Sequence, residues 1–272
     1  MRKVICFLCG LLCVTFNLQA ASVFSDDFNS YTTGNLVGQG NWLQTGATAT
    51  SPVQVNASTK VALGTSGQDV YSAMPGGPLT FADGTSFYVG LTLNVSAAQA
   101  TGDYFLHYTP TVGDTSLFFD RLFVRASGAG YTLGWLATSG TGSGVLYGST
   151  VLNLSTDYRV VLAYHAEAGT QNDTSAIYVD PFTDTSVELN NTPYASFAWN
   201  GGTVSAENHT VAAINLRQGT AANSATLTVD DLNASLAFGD VTTYTAVVPE
   251  PQSLTILVAF GLVGWRLLRR RS

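Results

Sequence analysis

The stretch 86-SFYVGLTLNVS-96 decides the fold class. Phe87, Val89, Leu91, Leu93 and Val95 fall on one side of an extended chain, with Tyr88, Gly90, Thr92 and Asn94 on the other. Successive side chains of a strand point to opposite faces, so a period of two predicts a strand with one face on a core. In 157-DYRVVLAYH-165 the same alternation puts Tyr158, Val160, Leu162 and Tyr164 together. It returns in DYFLHYT (103–109), SLFFDRLFVRA (116–126), GYTLGWLAT (130–138), SAIYVD (175–180), HTVAAINLR (209–217) and SATLTVDDLNASL (224–236). Between these runs lie MPGG, ADGT, SGAG, TSGTGSG, AGTQND and WNGG, which are turn chemistry. The expectation is one all-β domain over 22–240, a β-sandwich or jelly roll of roughly a dozen strands, followed by a linker at 241–247.

Composition narrows the partners. Charged residues make up only 11% of the chain and hydrophobic residues 46%, which is not the balance of a disordered chain. Six of the eleven bases sit at the extremities. The body retains Lys60, Arg121, Arg125, Arg159 and Arg217, five bases against 17 acids, for a formal net charge of −12. Such a surface repels a phosphate backbone, so nucleic acid is excluded and neutral sugars or cations are the easier partners.

The two ends read as targeting segments. Arg2 and Lys3, the apolar stretch from Val4 to Phe16, and small residues at Ala20 and Ala21 have the layout of a secretory signal peptide over 1–21. All three cysteines, Cys6, Cys9 and Cys13, lie inside it, so the mature chain would have neither disulfides nor cysteine chemistry. At the other end is 247-VVPEPQSLTILVAFGLVGWRLLRRRS-272. Pro249 and Pro251 enforce an extended stretch, an apolar helix of about 253–268 comes next, and Arg266, Arg269, Arg270 and Arg271 form a basic stop that stays in the cytoplasm. The apolar run is shorter than the roughly 20 residues that span a bilayer comfortably.

Val248, Pro249, Glu250 and Pro251, the short helix and the arginine terminus together resemble the PEP-CTERM sorting signal of Gram-negative bacteria. That resemblance implies processing by an exosortase near the motif. It also implies an exported protein, membrane-anchored before C-terminal processing, then delivered to the cell envelope, cell surface or extracellular matrix, where exopolysaccharide is the expected partner. A second resemblance lies in the body. FSDDFNSYTTGNLVGQGNW (24–42) and ATLTVDDLNAS (225–235) are similar to the flanking strands of concanavalin-like lectin and laminin-G-like jelly rolls. The fold so implied pairs the first and last strands in one sheet.

Residue chemistry then gives the candidate sites. Glycoside hydrolysis needs a carboxylate pair, and the Glu-x-Asp-x-x-Glu pattern of jelly-roll glucanases is absent. Glu167, Glu188 and Glu207 are isolated in the sequence, and DPFTDTSVE (180–188) reads as a turn entering a strand. No Gly-x-Ser-x-Gly elbow occurs, and His107, His165 and His209 are scattered, although a triad could still assemble in space. The expectation is therefore a non-catalytic structural or glycan-binding protein; the alternative is a carbohydrate-active enzyme with an atypical site. Phe119, Arg121, Phe123 and Arg125 alternate onto one face, with Trp135 in the next strand, as aromatic planes beside guanidinium donors for a sugar. Trp42 and Trp199 are looser candidates. If the end strands pair, Asp26, Asp27, Asp230 and Asp231 converge as oxygen ligands for a structural calcium, or simply cap turns. No other cofactor is expected.

Overall fold

The computed structural model describes residues 22–47, 51–138, 144–181, 187–199 and 208–242. The expected leader, sorting motif, apolar helix and basic stop all lie outside the described residues. Among the described residues no helix is long and apolar enough to cross a membrane.

Among the described residues the regular structure is almost wholly strand. The first seven are β1 (Phe24–Asp26), β2 (Gly34–Asn35), β3 (Trp42–Thr45), β4 (Gln54–Val55), β5 (Val61–Leu63), β6 (Asp69–Ala73) and β7 (Leu79–Thr80). The long middle strands are β8 (Ser86–Ala97), β9 (Asp103–Thr109), β10 (Phe119–Ser127), β11 (Gly130–Thr138), β12 (Leu146–Tyr147) and β13 (Asp157–His165). Then come β14 (Thr174–Val179), β15 (Ala195–Ala198), β16 (Thr210–Val211), β17 (Ala213–Leu216) and β18 (Thr226–Ser235), closed by a short helix α1 (Gly239–Thr242).

Two large antiparallel sheets face each other. The nine-stranded sheet runs β15-β14-β13-β8-β18-β5-β4-β2, with β1 also on β18; the seven-stranded sheet runs β12-β11-β10-β9-β17-β6-β3. β7 and β16 make a separate two-stranded ribbon. The chain is thus an all-β sandwich. First and last strands do pair, with Phe24 opposite Ala234 and Asp26 opposite Leu232.

The strand Ser86–Ala97 lies mid-sheet, between β13 and β18. Phe87, Val89, Leu91, Leu93 and Val95 are all fully buried in the shared core. Across the layer, Phe87 meets Tyr108 of β9 edge-on at 5.3 Å. Burial of such side chains is worth about 1.5–3 kcal/mol each.

The outer face of β8 is not left to solvent. Tyr88, Val161, Ala163, Ala176 and Tyr178 form a second apolar cluster with Phe238 and Val241 of the C-terminal turn. The expected linker therefore begins too early at 241, because Val241 and Thr242 are buried parts of the domain. Arg159 explains why. Its Nε and Nη2 donate to the Val241 carbonyl at 3.0 and 2.7 Å, and Nη1 donates to the Asp231 carbonyl at 2.8 Å. Gly90 makes room beneath this clamp, since a Cβ there would lie 2.2 Å from the Val241 oxygen.

Candidate functional site

Two surfaces gather chemistry, one on the outside of each sheet. On the seven-stranded sheet the expected alternation breaks within β10. Its pairing with β9 shifts register between Phe119 and Leu122, and Asp120 adopts a left-handed φ of 49°. A bulge adds one residue to one strand and turns the residues after it to the other face. Phe119 therefore joins Leu122 and Val124 in the core, away from Arg121 and Phe123. Trp135 is also a core residue, fully buried and stacked on Phe197 at 5.5 Å, with its indole donating to Asp120. Phe119 and Trp135 are thus not sugar platforms. Trp42 is not one either, being fully buried; Trp199 is partly buried against the core.

Arg121, Phe123 and Arg125 remain on the outer face, where other strands complete them. The Arg125 guanidinium lies 3.8 Å from the Tyr147 ring centre, and Arg121 lies 5.6 Å from Phe123 and 5.1 Å from Tyr104. Arg217, just past β17, covers Tyr104 at 4.2 Å and pairs with Asp103 at 2.8 Å. His107 lies beneath Phe118, ring centres 4.6 Å apart. Burial, with Arg217 and Arg121 nearby, pushes its pKa down to about 3, so the imidazole is neutral. Tyr104, Tyr147 and Arg217 were invisible to a reading confined to one strand, because only the pairing of β9, β10, β11, β12 and β17 brings them together.

The four aspartates expected to bind calcium are occupied differently. Asp26 accepts hydrogen bonds from the Trp42 indole at 2.7 Å, the Tyr31 hydroxyl at 2.5 Å and the Phe28 amide at 3.0 Å. Asp27 accepts the Asn29 amide. Asp231 accepts Thr92 Oγ1 and donates its amide to Asp230. Burial and the neighbouring Asp231 carboxylate push Asp230 up to about 6. Among the described residues no group of three or more His, Cys, Asp or Glu side chains is arranged to hold a metal. The end strands pair as expected, but Asp26 is committed to the Trp42 and Tyr31 donors rather than to a shared ion site.

The second surface is a groove of about 610 Å³ outside the nine-stranded sheet. Alternation along β13, β14 and β15 turns His165, Thr174, Ala176, Tyr178, Ser196 and Ala198 outward, so small side chains form the floor. A 3-10 turn at Glu188–Asn190 arches over it, with Leu189 93% exposed at the rim. Glu188 ties the turn down. It accepts Tyr178 OH at 2.6 Å and Tyr88 OH at 2.8 Å, and His165 Nε2 lies 3.2 Å away. Burial pushes this carboxyl up, yet the bonds from His165, Tyr178 and Tyr88 outweigh it and hold the pKa below the usual carboxylate value. The far side of His165 meets Ser86 Oγ at 2.8 Å.

A Ser–His–Glu chain thus assembles from three places that the sequence left isolated. Ser86 is not among the residues that line the groove, and the chain ties the Glu188 turn to β8 and β13. The remaining histidine, His209, sits between Asp173 at 3.0 Å and Asp83 at 3.3 Å.

No family model and no curated protein matches the chain. Solved structures do align over most of it. One is the CBM2 module of the evolved Dit of Lactobacillus casei BL23 phage J-1, 11% identical, covering 79% of this chain and 95% of that one at a TM-score of 0.44. Another is a β-1,3-glucanase from Mycobacterium marinum, 11% identical, covering 79% and 99% at 0.44. A third is the lectin UEA-II complexed with galactose, 13% identical, covering 79% and 99% at 0.43. At those scores none of them bears on ligand or activity here.

Proposed function

We propose that the protein is an exported, non-catalytic component of the envelope or extracellular matrix that binds polysaccharide in the groove over β13, β14 and β15. The observation that carries this is the lining. A concave trough of about 610 Å³ has a floor of Thr174, Ala176, Ser196 and Ala198, an aromatic wall at Tyr178, and His165, Asn191 and Glu188 as fixed polar groups. Sites for small ligands combine apolar walls with a few oriented polar groups in this way. A sugar chain needs both, because its rings have apolar faces and hydroxyl edges.

Hydrolysis is the weaker reading. Glu188 is the one carboxylate among the described lining residues, and its hydrogen bonds favour the ionised form. Cleavage of a glycosidic bond needs two carboxyl groups, one of them kept protonated.

The test is affinity electrophoresis of the full chain through gels carrying neutral polysaccharides. Retardation without release of reducing ends is expected. Ser196→Trp, which fills the floor at an exposed position, is expected to weaken binding about tenfold while leaving the melting temperature unchanged. Released product would establish the enzymatic reading, and unaltered binding by Ser196→Trp would move the site elsewhere.

The sorting half of the proposal rests on Val248, Pro249, Glu250 and Pro251, the apolar run and the terminal arginines. In a cell with an exosortase, the outward fraction is expected to lack Arg266–Ser272 by mass spectrometry. Recovery of only the intact chain from the inner membrane would overturn it.

A further inference from the structure

We infer that a cleft between β1 and the segment entering β3 binds an amine-bearing sugar. The cleft shares no residue with the groove over β13, β14 and β15, so the two readings stand or fall separately.

The cleft holds about 550 Å³ and is lined from both sheets. Ser25 and Asp26 come from β1 of the nine-stranded sheet, and Ser72 comes from β6 of the seven-stranded one. Ser30 and Tyr31, in the turn after β1, and Asn41, just before β3, complete the wall.

The polar groups that line it are free of partners inside the fold. Ser72 is only 2% exposed, yet its hydroxyl has no hydrogen-bond partner among the described residues. A hydroxyl at that depth is rarely left unsatisfied, and this one borders a space where a ligand can satisfy it. Ser25, Ser30 and Asn41 are exposed, and their side chains likewise have no partner among the described residues. Three hydroxyls and one amide can each both donate and accept.

The frame around them is fixed. Tyr31 OH donates to Asp26 at 2.5 Å, and its ring meets Phe28 edge-on at 5.8 Å. A Cβ at residue 40 would collide with that hydroxyl, so Gly40 is what lets the ring sit here.

Charge selects the ligand. Asp26 and Asp27 line the cleft, and the described lining residues include no lysine, arginine or histidine. Asp26 forms no ion pair among the described residues; its donors, the Trp42 indole, the Tyr31 hydroxyl and the Phe28 amide, are all neutral. Neutral donors fill a carboxylate's lone pairs without cancelling its charge, so the cleft favours a cation. With about one of its roughly four acceptor positions left, Asp26 cannot help build the roughly six to eight oxygen ligands of calcium. An ammonium has only three protons to place, and neutral hydroxyl oxygens can receive them. A linear polyamine is a poorer match than a sugar, because it offers no acceptor to the Asn41 amide and the serine hydroxyls, whereas sugar oxygens do.

A β-1,4-linked tetraglucosamine and cellotetraose are the probes, since they share a backbone and differ in carrying an ammonium or a hydroxyl at C2. Titration calorimetry of the full chain, in mild detergent and mildly acidic buffer, is expected to show tetraglucosamine binding at least about tenfold tighter than cellotetraose, by a margin that shrinks as salt rises. Ser30→Trp, which fills the mouth at an exposed position, is expected to lose at least about tenfold of this affinity and Asn41→Ala about fivefold. Ser196→Trp and Glu167→Gln are expected to keep it. Should Ser30→Trp not fold, Asn41→Ala alone decides. Equal affinity for the two tetramers, or unaffected cleft variants, would overturn the inference and leave the groove reading standing. A loss in Ser196→Trp would assign the ligand to the groove instead, and a loss in Glu167→Gln would show diffuse attraction to an acidic domain; either would overturn it. Spermidine binding as tightly as tetraglucosamine would sink the assignment to a sugar.

Discussion

Asp120→Val is expected to destabilise the protein by about 4 kcal/mol, measured by denaturant unfolding at neutral pH. Three effects coincide at this residue. It is fully buried, and its Oδ1 accepts both the Trp135 indole and Ser175 Oγ, the latter at 2.8 Å. Valine would leave the indole of a core tryptophan without an acceptor, which costs about 1–3 kcal/mol. Asp120 also holds a φ of 49°, which aspartate and asparagine tolerate and a β-branched residue does not. Its conformation further sets the bulge that sends Phe119 inward and Arg121 outward, so relaxing it would displace both the core and the outer face.

Asp120→Asn separates these effects, because asparagine keeps the acceptor and the left-handed backbone. Burial pushes the Asp120 carboxyl up to about 6, against the opposing bonds from Trp135 and Ser175. The folded state therefore holds this proton more tightly than the unfolded chain, whose carboxyl titrates near the ordinary 3.8. Stability from this group is fully present below the unfolded value and is lost as pH rises through about 6. Asp120→Asn is expected to flatten that fall and to equal or exceed the native protein at neutral pH. Asp230, also raised to about 6, contributes a slope in the same direction, so the double variant should be flatter still. An unchanged slope in both variants would contradict this account.

The second large effect is expected at Asp26. Asp26→Ala removes the acceptor for the fully buried Trp42 indole, the Tyr31 hydroxyl and the Phe28 amide together. A loss of about 3–4 kcal/mol is expected, since each orphaned buried donor costs about 1–3 kcal/mol and Tyr31 can recover some of its loss from water. Asp26→Asn, which keeps one strong acceptor, is expected to lose about half as much. Fluorescence of the folded Ala variant should shift to the red as Trp42 loosens. A variant as stable as the native protein would mean that the indole finds another partner. Calcium is expected to leave the melting temperature of the native protein unmoved, because Asp26 is spent on these donors.

Strand pattern and inner face were readable in the sequence because they are local. Alternation at Phe87–Val95 follows from the geometry of one extended segment, whatever packs against it. The Phe119 assignment failed for a reason equally physical: one left-handed residue, Asp120, flips the parity of everything after it, and alternation assumes there is no such residue. The linker boundary failed because Val241 is fixed by Arg159, far away in the chain.

Sites were less legible than strands. Arg121, Phe123 and Arg125 could be placed together from β10 alone, but their ring partners Tyr104 and Tyr147 come from β9 and β12. Glu188 read as a solitary turn residue, and its bonds to Tyr88, Tyr178 and His165 depend on β8, β13 and β14 lying side by side. The sequence by itself determined an all-β chain, its strand cores, its acidic charge and the pattern of its two ends. Tertiary structure alone decided which strands are neighbours, and with them the groove and the ring contacts of Arg121, Arg125 and Arg217. Backbone pleat acts over adjacent residues, whereas register is settled only when two sheets bury their apolar faces against each other.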